Sequence, residues 1–198
     1  MRLLLFSIAV LSALAGIAPG MPSVANAADT SKISAKPDKA AALDLMFVEL
    51  RHAKNEALAA DVAERIKNEW NQSGSATVDL LMQWASEAMD KKDFPTALDF
   101  LDQAIVLKPD FAEGWNRRAT AHFLAGNYSK SMTDIERTLA LEPRHFGALS
   151  GMGMIFLDLG KKELALSALR KALDVYPQLR DTQKQVGELE EQLAGSRI

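Results

Sequence analysis

His52, His122 and His145 are the three histidines of this 198-residue chain and its natural candidates for proton transfer or metal ligation. They fall in three different segments, and none has a second histidine three or four residues away. A zinc site needs about four convergent donors, commonly paired at one-turn spacing. With no cysteine in the chain, the pattern predicts neither a metal centre nor a cofactor. His122 is expected to pack between helices, and His145 to cap a helix or contact the turn at Pro143. The stretch Gly147-Ala148-Leu149-Ser150-Gly151-Met152-Gly153 lacks the glycine two residues before Ser150 that a hydrolase elbow requires. Gly153 and Gly160-Lys161 are wrongly spaced for a phosphate loop, and Lys162 stands where a hydroxyl residue is needed. The stretch therefore reads as close helix packing or as the floor of a groove. No carboxylates are placed for acid–base work, so a non-enzymatic protein is expected.

Composition narrows the setting. At 48% hydrophobic and 25% charged the chain is globular, and its low aromatic share of 7% favours helices over a sandwich or barrel. A net charge of −3 argues against nucleic-acid binding, which needs a clustered basic face. Residues 1–27 carry one charge, Arg2, then an apolar run to Ala18, a Pro19-Gly20 break and Ala25-Asn26-Ala27. That order is the pattern of a cleavable signal peptide. The run is shorter than the roughly 20 residues that span a bilayer. Cleavage is expected after Ala27, leaving a net charge of −4, no stable membrane span and a bacterial periplasmic location.

The elements that position any site follow from a period. Pro109, Pro143 and Pro177 stand at intervals of 34. Small residues repeat with them: Ala97, Ser131 and Ala165; Ala104, Thr138 and Ala172; Ala85, Ala119 and Gly153. Leu101, Ile135 and Leu169 supply the bulk between them, and turns fall at Lys92-Asp93, Gly126-Asn127 and Gly160-Lys161. A repeated small column lets two helices approach closely while the large residues fill the space between units. Asp93 and Asn127 suit N-caps, and Asp110 with Glu113 suits a capping box. With Trp115, Tyr128, Leu149 and Phe156 also in place, the chain resembles the tetratricopeptide repeat family, and exported periplasmic members of it in Gram-negative bacteria. The resemblance implies an all-α, right-handed superhelical solenoid of helix–turn–helix repeats.

The expected organisation is a signal peptide at 1–27, a flexible N-terminus at 28–40 and a divergent helical hairpin at 41–77. Three repeats follow at 78–111, 112–145 and 146–179, then a C-terminal capping helix at 180–198. The hairpin is expected from apolar stripes at Leu43, Phe47 and Leu50 and at Leu58, Val62, Ile66 and Trp70.

Members of the family hold an extended peptide or a partner helix on the concave face, lined by the first helix of each repeat. The matching positions are Asp79, Met82, Ser86, Glu113, Asn116, Arg117, Thr120, Phe123, Ser150, Met154 and Leu157. The carboxylate clamp of chaperone-binding members would fall on Met82, Ser86, Arg117, Gly147 and Gly151, and none matches it. The implied partner is a protein or peptide met by an adaptable apolar groove, in a scaffold for cell-envelope assembly or integrity. An accessory subunit of a cell-wall enzyme or a peptidoglycan binder is the alternative reading. Self-association through the hairpin is a third. Arg117, Arg118, Glu142 and Arg144 are expected to form one charged cluster at a repeat boundary.

Overall fold

A computed structural model describes residues 39–195; the expected signal peptide lies outside them. Among the described residues there are nine α-helices and no strand. Helices α3 (Ala76–Asp90) and α4 (Phe94–Leu107), α5 (Ala112–Leu124) and α6 (Tyr128–Leu141), and α7 (Phe146–Asp158) and α8 (Lys162–Val175) form three antiparallel pairs. The expected columns are their interfaces. Ala97, Leu101, Ala104, Thr138, Ala165, Leu169 and Ala172 are completely buried. At Gly153 the approach of α7 to α8 is so close that a Cβ would sit 2.5 Å from Cδ2 of Leu169. Helix α9 (Arg180–Gly195) covers α8 with Val186 and Leu189 and turns Lys184, Glu188, Glu190 and Glu191 to solvent.

Each pair turns in the same way. The second residue past the first helix takes a left-handed backbone at Lys92 (φ 59°), Gly126 (φ 76°) and Gly160 (φ 69°), again 34 apart. The next amide then reaches back to the carbonyl five residues earlier: Asp93 to Ala88, Asn127 to His122, Lys161 to Phe156, at 2.8–2.9 Å. This closure satisfies the carbonyls left over at the helix end. Asp93 also caps α4, accepting from the Thr96 amide at 3.3 Å. Asn127 stands at the cap position of α6 without a side-chain cap bond. No Asp110–Glu113 capping box forms. Phe111 is the N-cap of α5, and the Glu113 carboxylate is drawn instead toward Asn116, Arg117 and His145.

Helices α1 (Lys39–Arg51) and α2 (Glu56–Asn71) form the N-terminal hairpin. Its apolar stripes bury Leu43, Phe47, Leu50, Val62, Ile66 and Trp70 in one cluster with Phe146 and Tyr176, from the third repeat. The hairpin thus lies against the turns that join the repeats. Arg144 Nη1 donates to Asp44 at 2.6 Å, Arg180 pairs with Glu56 at 2.8 Å, and the Gln178 amide donates to the Ala53 carbonyl. No helix among the described residues is long and apolar enough to cross a membrane.

Candidate functional site

Helices α3, α5 and α7 stand side by side, and their exposed faces form a groove. At its centre, between α5 and α7, lies an apolar cleft of about 300 Å³. Phe123, Leu124 and Met154 form its walls, Gly147 and Gly151 open its floor, and Asn116, Thr120 and Ser150 supply polar atoms. Glycine on this face of α7 keeps side chains out of the space. A Cβ at Gly151 would make only an ordinary 3.7 Å contact with Ile135, so the opening is not imposed by crowding. The Ser150 hydroxyl is buried and has no hydrogen-bond partner among the described residues. An unpaired buried hydroxyl carries a desolvation penalty of about 1–3 kcal/mol, which a ligand group would relieve.

Beside the cleft a polar cluster ties three elements together. Arg117 donates to Ser86 Oγ at 2.7 Å on α3, to Asn71 Oδ1 at 2.6 Å on α2 and to Glu113 Oε1 at 3.2 Å. Glu113 also accepts from Asn116 at 3.0 Å and lies 3.1 Å from His145 Nε2. The other ring nitrogen, Nδ1, accepts the Ala148 amide at 3.1 Å and so caps α7. An acceptor at Nδ1 leaves Nε2 to carry the proton and donate it to Glu113. Burial by itself raises the Glu113 pKa; the hydrogen bond from His145, with Arg117 and Asn116, outweighs it and holds the carboxyl below its ordinary 4.5. This arrangement ties α2, α3, α5 and the start of α7 together along the groove wall.

Of the residues expected on the concave face, Asn116, Thr120, Phe123, Ser150 and Met154 line the cleft. Ser86, Glu113 and Arg117 form its polar flank with Met89 and Asp90. Three do other work. Met82 is buried in the core with Leu81, Ala85 and Leu101 and does not face the groove. Leu157 packs against the α8–α9 cluster. Asp79 is exposed and holds the α2–α3 turn through Ser73, accepting from its amide at 3.0 Å and its hydroxyl at 2.5 Å. The expected charged cluster divides into three: Arg117 as above, Arg118 with Asp134 and Asp102, and Arg144 with Glu142 and Asp44. His122 is buried, its Nδ1 without a partner among the described residues, and Asp134 and Arg118 are near enough to act on its charge. Those residues hold no group of three His, Asp or Glu suited to a metal ion.

Comparison with known proteins agrees with this architecture. The tetratricopeptide repeat family profile matches residues 82–138 and 147–179. A TPR repeat-containing protein of Rhizobium etli is 55% identical over 155 residues, covering 78% of this chain and 76% of the relative. The chain belongs to the tetratricopeptide repeat family. Among solved structures, the Sgt2 TPR domain of Aspergillus fumigatus superposes with a TM-score of 0.58 at 20% identity, covering 62% of this chain and 83% of that domain. The first TPR of Spaghetti (RPAP3), bound to an HSP90 peptide, superposes at 0.57 and 19% identity, covering 61% of this chain and 95% of that one. At those identities the likeness concerns the fold.

One wall of the groove is supplied from outside the repeats. Lys67, Trp70 and Asn71 of α2 line it beside Glu113, Arg117 and Gly147, narrowing the edge next to the inter-repeat turns. In the sequence Trp70 reads as one member of an apolar stripe; nothing local announces that α2 borders the groove of α5 and α7.

Proposed function

We propose that this tetratricopeptide protein is a non-enzymatic periplasmic scaffold, acting in cell-envelope assembly or integrity, whose groove binds an extended peptide of a partner protein. The observation that carries the reading is the glycine-floored cleft between α5 and α7. It is apolar, open to the concave face, large enough for one or two bulky side chains, and edged by Asn116, whose amide suits a peptide backbone. The fold neighbour solved with an HSP90 peptide supports a peptide as occupant. A C-terminal carboxylate is not the feature recognised, because glycine and methionine stand where cationic clamp residues would be needed. The periplasmic setting is supported by the charged start, short apolar run and Ala25-Asn26-Ala27 exit of the leader.

The test is selection of binders from a random peptide display library, followed by comparison with Gly151→Leu. The added side chain fills the cleft without entering the helix core, since a Cβ is accommodated there. Selected peptides should be rich in large apolar residues and bind the variant about tenfold or more weakly, as expected when a buried anchor loses its pocket. Binders indifferent to Gly151→Leu and to Phe123→Ala would place recognition elsewhere. Fusing residues 1–27 to a periplasm-dependent reporter tests the location separately; a cytoplasmic reporter would overturn that part.

A further inference from the structure

The end of the solenoid formed by α3 and α4 is unfinished. The 34-residue register shows what its surface is. One repeat on from Leu80, Trp84 and Phe100 stand Gly114, Arg118 and Asp134; two repeats on stand Ala148, Met152 and Ala168. In the second repeat these positions face the preceding pair. A Cβ at Gly114 would lie 3.5 Å from Ile105 of α4, and Arg118 bridges Asp102 of α4 to Asp134 at 2.7 Å each. Ala148 and Ala168 are likewise buried in the third repeat. Only in the first repeat is the column open: Leu80 is 42% and Trp84 41% exposed, with Phe100 half-buried 5.5 Å from the Trp84 ring.

Terminal repeats ordinarily present a polar outer face. The far end obeys that rule, with α9 turning Lys184, Glu188 and Glu191 outward. The α3–α4 end breaks it, and the hairpin that precedes α3 in sequence spends its apolar face on Phe146 and Tyr176 instead. A shallow cleft of about 360 Å³ remains between Trp84, Phe100 and Thr96, rimmed by Glu87 and Lys91.

We propose that this face is an isologous interface, with the α3–α4 end of one chain packing on the same face of a second copy. It continues the repeat interface by the same columns, so the occupant it fits is another helix pair. The charged outer face of α9 cannot serve, which rules out head-to-tail stacking. Glu87 and Lys91 give the rim both signs, and a two-fold axis sets the Glu87 of each copy toward the Lys91 of the other. A closed pair of this kind leaves both grooves free.

Sedimentation equilibrium of the full chain should show a concentration-dependent monomer–dimer equilibrium. Trp84→Glu should weaken it by roughly tenfold or more, since a buried aromatic anchor is replaced by a charge. Val106→Glu, at a position 80% exposed on another face of α4, should leave it unchanged. Far-UV circular dichroism checks that both variants keep their helices. Because the chain has no cysteine, Glu87→Cys adds a single thiol; a bismaleimide should link two copies through it and not through Val106→Cys. A monomer at every concentration, or a dimer indifferent to Trp84→Glu, overturns the proposal. So does a monomer whose added thiol is alkylated faster once residues 1–38 are removed, an outcome that would put the leader on this face.

Discussion

The indole of Trp70 lies flat against the imidazole of His145, with centroids 4.1 Å apart and planes 11° from parallel. Through this one stack the last turn of α2 rests on the residue that caps α7 and holds Glu113. The N-terminal hairpin and the groove wall are therefore mechanically one unit. Removing the indole with Trp70→Ala should cost about 3–5 kcal/mol, the usual range for a buried aromatic. His145→Asn, which can still cap α7, should cost less than His145→Ala, for which the lost cap alone is worth about 1 kcal/mol. Urea denaturation followed by helix signal measures both; equal losses for the two His145 variants would show that capping contributes nothing.

Two buried groups make stability depend on pH, both in the acid direction. His122 has its pKa lowered from 6.5 chiefly by burial, so below pH 6.5 the unfolded chain takes up a proton that the folded chain refuses. Stability should fall as the pH drops through that window, and His122→Phe should remove this part of the slope. Glu113 is held below 4.5 when folded, so its contribution is present above that pH and is lost as acid protonates the folded carboxyl. Glu113→Gln should be less stable at neutral pH and flatter below pH 4.5 than the parent. Parallel pH profiles for parent and variant would refute the assignment.

The glycines of α7 should respond oppositely to alanine. At Gly153 the new Cβ would lie 2.5 Å from Cδ2 and 2.6 Å from Cγ of Leu169, so α7 and α8 must separate, at about 1–3 kcal/mol for overpacking. At Gly151 the Cβ finds an ordinary contact, and the substitution should gain up to about 1 kcal/mol of helix propensity. Thermal melts of the two variants decide it, and a destabilised Gly151→Ala would contradict the open floor.

Lys92 takes the left-handed turn that glycine takes at Gly126 and Gly160. A non-glycine residue there carries about 1–2 kcal/mol of strain, so Lys92→Gly should stabilise the first repeat by up to about 1 kcal/mol after the entropy of the unfolded chain is counted. An unchanged or lowered melting temperature would count against it.

Arg118 compensates Asp134, which is 98% buried. Arg118→Met should cost about 3–5 kcal/mol by leaving that carboxylate unpaired. Adding Asp134→Leu should recover a substantial part, whereas simple additivity of the two losses would show the pair is not coupled.

The solenoid was legible because a tetratricopeptide repeat is a local object. Each helix pair is built from residues within 34 of one another, so Pro109, Pro143 and Pro177 and the small columns between them announce the pairing directly. Half-legible was the concave face: a helical period places Asn116, Thr120, Phe123, Ser150 and Met154 together, but it cannot tell Met82, which the neighbouring helix buries, from Met154, which it leaves open. The role of the hairpin was not legible. Leu43, Phe47, Val62, Ile66 and Trp70 specify that two faces must be buried, and helical spacing is the same whatever surface buries them. Their partners, Phe146 and Tyr176, and the links from Asp44 to Arg144 and from Ala53 to Gln178, stand 100 residues or more away in several cases. Only closure of the three-dimensional stack brings those turns together, and with them the wall of the groove and the uncovered end at Leu80 and Trp84.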